Sequence, residues 1–419
     1  MRKFVVQKTF HSSPACDDMM EPWLSIVGLG EDGIDGLSAA AREAIEQADL
    51  LAGGARHLKL AAGFGKPVLP WEVPFEASIP KLLSARGRRV TVLASGDPFW
   101  FGVGSTLAAR LPLREMLVWP APSTFGWAAA RLGWPLEQVT TLGLHARPIT
   151  MLRPHLRPKA RLIVLLRDGA AAAQIAAYLD GLGFGGSRLI VLEALGGPRE
   201  RIRDTRAYDF ALSDIAAPVA LAIEAQPDAQ AVLMPRTSGL PDELFQHDGQ
   251  LTKREIRAVT LSSLAPRGNE LLWDIGAGSG AIGIEWLLAD AGNRAIGIEA
   301  RADRLQVARD NAAALGVPHL DIRHGRAPQA LVGLPAPDAV FIGGGGTEPG
   351  LFDAVWQALR PGGRLVANAV TLETEALLIA LHRRHGGSLL RLGVERADQV
   401  GAFSAWRAAM PIVQWSVHK

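Results

Sequence analysis

Between Asp274 and Glu299 the chain spaces carboxylates and glycines as a ligand site would. Asp274 precedes Gly276, Ala277, Gly278, Ser279, Gly280 and Ala281 in "DIGAGSGA", and Glu299 ends the next apolar run. Glycines placed between a strand and a helix let the backbone turn sharply and approach a ligand closely. The glycines alone fit a dinucleotide as well as S-adenosylmethionine, so a nicotinamide-dependent oxidoreductase is one reading. A tight turn that holds no ligand is another. Asp274 separates the first two. A carboxylate at the strand end attracts a ligand whose amine and sulfonium are positive, and it repels a pyrophosphate. Glu299 can accept hydrogen bonds from both hydroxyls of a ribose. "GRAPQAL" (Gly325–Leu331) follows a third strand, where a loop flanking an adenine would sit. S-adenosylmethionine is the better match.

A second set of glycines lies near the start. Gly28, Gly30 and Gly33 again give G-x-G-x-x-G, but Glu31 and Asp32 stand where a phosphate would have to lie. Like charges oppose that ligand. These glycines are read instead as permitting a tight turn and the approach of a large ligand. Two further loops follow buried strands: Gly96-Asp97-Pro98 in "LASGDPFWFGVG", and "PAPSTFGWAAARLGWP" from Pro120 to Pro135.

The elements that must position these residues alternate along the chain. Strands are expected at 24–29, 50–52, 89–94, 117–119, 161–166, 188–192 and 219–225. Helices are expected at 35–48, 102–109, 123–132 and 170–182, an alternation typical of sheets with helical crossovers. The pattern lapses over 233–250, which reads as a linker. A helix at 253–262 then precedes strands at 270–275, 294–299, 339–343 and 363–367, a second α/β unit with one parallel sheet. The expected division is an extension over 1–22 without order, a first unit over 23–232, the linker, and a second unit over 251–419.

Composition narrows the classes further. With 419 residues, 48% hydrophobic, the chain can build two large cores. A net charge of +2 without a long basic run argues against a nucleic-acid partner. No apolar run is long enough to span a membrane. Cys16 is the sole cysteine, which excludes an intrachain disulfide and a cysteine-based zinc site and suggests a reducing, cytoplasmic setting. No metal site is expected.

Taken in order, the Gly28 loop, the Gly96-Asp97-Pro98 loop and the 120–135 segment resemble the tetrapyrrole methylases, most closely the CbiE type, over about 23–226. The second unit, with "LTKREIRA", "PDAVFIGGGG" and "LVANAVTLET", resembles the class I methyltransferases, most closely the CbiT-type precorrin methyltransferase/decarboxylases, from about 240 to 415. The fold class implied is α/β throughout: a two-subdomain methylase fold followed by a Rossmann-like fold. The resemblance implies one S-adenosylmethionine site per unit. It also implies a tetrapyrrole (precorrin) substrate in cobalamin biosynthesis, methylated at ring carbons 5 and 15, with loss of carbon dioxide from the ring C acetate. It further implies a homo-oligomer.

By the same resemblance Gly96, Asp97, Phe99, Ser123 and Thr124 border the cofactor in the first unit. The strand at 161–166 and the Ala217–Pro218 turn line the far side. In the second unit Thr252, Gly276 to Gly280, Glu299 and Ala327 contact the cofactor, while Gly343, Gly344, Gly345, Gly346 and Asn368 face the substrate. Such a substrate carries many carboxylates. Lys253, Arg254, Arg257 and the basic segment 147–161 are therefore candidate anchors, and His145 and His324 candidate proton donors. Two readings stay open beside this one: the same reaction on a cobalt-containing substrate, and a non-catalytic protein that keeps degenerate methylase folds.

Overall fold

The first unit is built on two sheets, not one. In the computed structural model, which describes residues 22–419, strands β1 (Leu24–Leu29), β2 (Leu50–Gly53), β3 (Val68–Pro70), β4 (Val90–Ser95) and β5 (Met116–Trp119) form a parallel sheet of order β3-β2-β4-β1-β5. In β4, Val90, Val92 and Ala94 pack into one apolar cluster and Leu93 into another on the opposite face. Burial on both faces is why this strand reads as a continuous apolar run. The extension expected over 1–22, Cys16 included, lies outside the described residues except for residue 22.

Strands β6 (Thr140–Gly143), β7 (Arg161–Leu165), β8 (Arg188–Glu193), β9 (Arg201–Arg206) and β10 (Val219–Glu224) form the second sheet, of order β6-β7-β10-β8-β9. Only β6 and β7 run parallel; the other pairs are antiparallel. The helix Thr124–Leu132 belongs to this sheet. Its Phe125 and Ala128 pack with Ile163, Ile190 and Leu192. The chain therefore passes from one sheet to the other after Trp119.

The expected helix over 35–48 is shorter. A 3₁₀ turn at Gly33–Gly36 comes first, and the helix runs Ala39–Glu46. Ser38 fixes the start, its Oγ accepting from Ala41 N at 3.2 Å, because a serine hydroxyl satisfies one of the free amides of a first helical turn.

The second unit holds a seven-stranded sheet. Its strands are β11 (Leu271–Ile275), β12 (Arg294–Glu299), β13 (Asp321–His324), β14 (Ala339–Ile342), β15 (Arg364–Ala369), β16 (Ser388–Leu392) and β19 (Ile412–His418), in the order β13-β12-β11-β14-β15-β19-β16. The first five are parallel. β19 runs antiparallel to both neighbours, so the sheet is mixed at one edge where a wholly parallel one was expected. Between β16 and β19 the chain makes an exposed ribbon of β17 (Glu395–Val400) and β18 (Phe403–Ala408). No helix among the described residues is long and apolar enough to cross a membrane.

Within the stretch expected to be a linker, residues 239–245 pack on the second unit, while 235–238 and 246–250 are exposed. Leu240, Phe245 and Leu251 are buried in one cluster with Trp286 and Leu287. Glu285 accepts from the amides of Gly239 (2.7 Å) and Leu240 (2.9 Å), and Asn311 accepts from Gln246 N at 2.8 Å. Apart from a short 3₁₀ turn at Asp242–Leu244 the segment has no regular element, and distant side chains satisfy several of its backbone amides.

Candidate functional site

A cavity of about 790 Å³ opens at the carboxyl ends of β11, β12, β14 and β15, the usual place for a ligand in an open parallel sheet. Gly276 (φ +74°) lets the loop after β11 touch the loop after β14: a Cβ there would lie 2.7 Å from Gly344 N. Gly278 (φ +57°) is different. It lines the cavity, and a Cβ on it would meet no atom nearer than 3.9 Å. The space above Gly278 is open and could take a ligand.

Asp274, the next-to-last residue of β11, lines this space and is 1% exposed. Its Oδ2 accepts from Gly283 N at 3.1 Å, and its Oδ1 has no hydrogen-bond partner among the described residues. Burial pushes the carboxyl up to about 7; the Gly283 N–H opposes the rise and the charge of Glu299 adds to it. A buried acceptor left unpaired is costly, and a cationic group on a ligand would relieve it. Glu299, also buried, accepts from Gly278 N and from Arg301 N, each at 2.9 Å. Each carboxylate oxygen keeps a further lone pair for a hydroxyl. An orphaned acid for an ammonium group, an acid for a ribose and open space over a glycine together fit S-adenosylmethionine.

Thr252, Lys253, Ala277, Ser279, Ala327, Gly343, Gly344, Gly345 and Asn368 also line this cavity. Asn368 is held in a fixed orientation. Its Nδ2 donates to Thr260 Oγ1 at 3.0 Å, and its Oδ1 accepts from Gln414 Nε2 at 2.9 Å.

Several expected members of the site lie elsewhere. Arg257 is fully buried, pairing with Glu285 at 2.5 Å and with Asp242 at 3.1 Å and donating to the carbonyls of Leu240 and Thr252. It ties the 239–252 segment to the core and cannot reach a substrate. Arg254 is exposed but off the cavity wall, donating to Gly239 O at 3.0 Å. Gly280 starts the helix Ala281–Ala289 with φ +78° and packs against Ala308. Gly346 sits beside Thr374, and neither glycine is on the wall. His324 is exposed and outside the cavity, its Nε2 3.0 Å from Ala300 O. The cations that do line the cavity are Lys253, Arg301, Arg304, Arg326 and Arg396. Arg396 comes from the ribbon strand β17 and pairs with Glu255 at 2.5 Å. No periodicity or motif marks it, because the ribbon approaches the site only through the fold of the sheet edge.

The first unit has its own cleft of about 380 Å³, bounded by residues from both of its sheets. Gly96, Asp97, Ser123 and Thr124 line it as expected, and Leu165, Leu166 and Pro218 line the opposite wall. The glycines have a structural reason. A Cβ on Gly28 would lie 1.9 Å from Gly96 O, and one on Gly96 (φ +50°) would lie 2.8 Å from Pro122 O. These loops pack backbone against backbone. Gly28 thus serves that contact and not, as expected, the approach of a ligand. Ser123 caps the helix Thr124–Leu132, accepting from Gly126 N at 3.1 Å. Phe99 points away from the cleft into an adjoining hollow.

Several cleft residues escaped the sequence reading, two of them charged or titratable. Arg56 and His57 follow β2 at its carboxyl end, a position that could have flagged them. Arg56 is paired with Glu31, which also binds Arg199 at 2.8 Å. His57 Nε2 lies 2.9 Å from Ser95 Oγ, and burial, helped by the Arg56 charge, lowers its pKa to about 4. In the basic segment 147–161, Arg153 is buried and donates to Val232 O at 2.7 Å, while Arg161 stacks on Trp134 and pairs with Glu224. Of that segment's cations, Arg147 borders the hollow beside Phe99.

Comparison with known proteins follows the same division. Residues 24–211 match the family model of the tetrapyrrole (corrin/porphyrin) methylases, and residues 243–419 that of the precorrin methyltransferase domain. A Sinorhizobium protein named precorrin-6Y C(5,15)-methyltransferase [decarboxylating] is 50% identical over 407 residues, 97% of this chain and 98% of that one. Two shorter relatives each cover less than half of this chain. One, from Pyrobaculum calidifontis, is named "Probable cobalt-precorrin-6B C(15)-methyltransferase (decarboxylating)"; it is 32% identical over 42% of this chain and 93% of its own. The other, from Salmonella typhimurium, is named cobalt-precorrin-7 C(5)-methyltransferase; it is 30% identical over 43% of this chain and 88% of its own.

Proposed function

The chain belongs to the decarboxylating precorrin-6Y C(5,15)-methyltransferases, and from that premise we propose that it runs two reactions in two separate sites. The first unit methylates a late precorrin at ring carbon 5. The second methylates carbon 15 and removes carbon dioxide from the ring C acetate. Each unit binds its own S-adenosylmethionine. The substrate is the metal-free ring; the name of the full-length relative gives precorrin where those of the two shorter ones give cobalt-precorrin.

The observation that carries this reading is the presence of two cavities, each at the carboxyl ends of its own parallel sheet and each with its own acid: Asp274 and Glu299 in one, Asp97 in the other. The chemistry gives a reason for two. The target carbons are far apart on a rigid ring, and one pocket cannot align both with one methyl donor.

S-adenosylmethionine supplies a methyl group on a cationic sulfur, which departs as a neutral thioether. A neutral leaving group and an electron-rich ring carbon need little acid or base help, so the protein's part is positioning and exclusion of water. In the second unit Asp274 would take the ammonium group and Glu299 the ribose. Gly278 leaves room for the ligand, and Asn368 presents a fixed amide to the substrate side. Lys253, Arg326 and Arg396 supply positive charge for ring carboxylates. Decarboxylation leaves an electron pair that the conjugated ring can accept, and a proton from water then completes the methyl group left on ring C.

Mass spectrometry of the product tests the division. Gly278→Val fills the cofactor space of the second unit. It should abolish carbon-15 methylation and carbon dioxide loss, while a substrate already methylated at carbon 15 is still methylated at carbon 5. Loss of carbon-5 methylation on that substrate would contradict two independent sites.

A further inference from the structure

Asn368 offers the cavity of the second unit an amide, and residues off the cavity wall set the sense in which that amide points. Asn368 on β15 stands opposite Gln414 on β19 in the antiparallel register. The helix Arg254–Leu264 packs on these two strands and contributes Thr260 and Ser263. Gln414 is 2% exposed and Thr260 fully buried. Neither lines the cavity, whereas Asn368 does.

Four hydrogen bonds join these side chains. Asn368 Nδ2 and Gln414 Nε2 each donate to Thr260 Oγ1 at 3.0 Å. Gln414 Nε2 also donates to Asn368 Oδ1 at 2.9 Å, and Ser263 Oγ donates to Gln414 Oε1 at 2.8 Å. No other arrangement of the two amides satisfies the set. Turning one amide alone would put N–H against N–H, or oxygen against oxygen. Turning both would put two carbonyl oxygens on Thr260, whose hydroxyl has a single hydrogen. An unmatched pair at this depth is costly, so the buried partners fix the sense of Asn368. One N–H of its Nδ2 is engaged with Thr260. The other has no partner among the described residues and remains for the cavity. Asn368 is thus a donor there and not an acceptor.

A donor fixed before the ligand arrives costs no reorganisation when charge develops. In the decarboxylation the bond between the acetate methylene and its carboxylate breaks. Carbon dioxide leaves, the bonding pair passes into the conjugated ring, and water then supplies the proton. A donor on the carboxylate itself would hold its charge and oppose its loss. A donor on a lone pair of the ring favours the arrival of the electron pair. We infer that Asn368 donates to an acceptor atom of the ring during loss of carbon dioxide, and that Gln414, backed by Ser263, is a positioning residue for that step. This rests on the reading that the second unit carries the decarboxylation.

The test uses the full chain, excess S-adenosylmethionine and a late precorrin that keeps its ring C acetate, with carbon dioxide release followed in a single turnover and KM in the steady state. Asn368→Leu should slow release on the order of a hundredfold. Gln414→Leu alters no group on the cavity wall, yet it should slow release about tenfold with KM nearly unchanged. The two changes combined should be no slower than Asn368→Leu alone, because Gln414 acts only through Asn368. Ser263→Ala, a milder change, should slow release about two- to threefold. Binding of S-adenosylhomocysteine to the second unit reports folding, and if Gln414→Leu loses it, Ser263→Ala decides. Wild-type release in Ser263→Ala and Gln414→Leu, or losses that multiply in the double variant, overturn the positioning role. Failure of the premise looks different: carbon dioxide release that survives Gly278→Val would put the step outside the second unit.

Discussion

On the two-site proposal the buried Asp274 should make cofactor binding in the second unit pH-dependent, with a sign that can be worked out. The carboxyl's ordinary value of 3.8 is raised to about 7 in the folded protein, chiefly by burial. A ligand ammonium group binds the ionised form. With a midpoint near 7, roughly a tenth of the sites are ionised at pH 6 and about half at pH 7, so affinity should rise about fivefold over that unit. Stability moves the other way. An acid whose folded value is raised destabilises the ligand-free protein once the pH exceeds its unfolded value. The loss accumulates from about pH 4 to pH 7 and then levels off. The shift sets an upper limit on the order of 4 kcal/mol. Calorimetric titration with S-adenosylhomocysteine at pH 6.0, 6.5 and 7.0 measures the first effect, and thermal unfolding without ligand the second. Asp274→Asn should flatten both profiles for this site and weaken binding at pH 7. A wild-type affinity as flat with pH as that of Asp274→Asn would refute the assignment of Asp274 to a cationic ligand group.

Two other outcomes follow from the packing. Arg257→Ala leaves Glu285 buried without its ion partner and should cost about 3–5 kcal/mol in denaturant unfolding of the second unit; unchanged stability with a raised substrate KM would restore Arg257 as an anchor. Gly28→Ala forces a Cβ into the Gly96 carbonyl, a backbone atom that cannot step aside. It should therefore destabilise the first unit by on the order of 4 kcal/mol or more, and near-native stability by the same measurement would mean that the loop contact is adjustable.

The sequence carried the chemistry of the second unit well, because its acids and glycines are local. Asp274, Gly278 and Glu299 sit on one strand-loop-helix-strand unit, whose geometry follows from spacing alone. Arg257 was misjudged for the opposite reason. Leu261 and Leu264, four and seven residues on, do put it on the helix's buried face, but its partners Glu285 and Asp242 are 28 and 15 residues away, so nothing in the sequence signals that its charge is paired there. The linker reading failed similarly, since Leu240 and Phe245 are anchors without a period. The ribbon that brings Arg396 to the cavity is exposed on both faces, so its strands lack the alternation that burial imposes. In the first unit the loop residues Gly96, Asp97 and Thr124 were legible. Phe99 was expected beside the cofactor but lies outside the cleft, and Trp100 and Phe101, which line it, carried no signal in the sequence.

The central claim is that one chain holds two cofactor sites, and the number of ligands bound per chain tests it most directly. Titration of the full-length protein with S-adenosylhomocysteine should saturate at two per chain, and Gly278→Val should reduce that to one. Saturation at one in the wild type, or no change in number on filling the Gly278 space, would contradict the account.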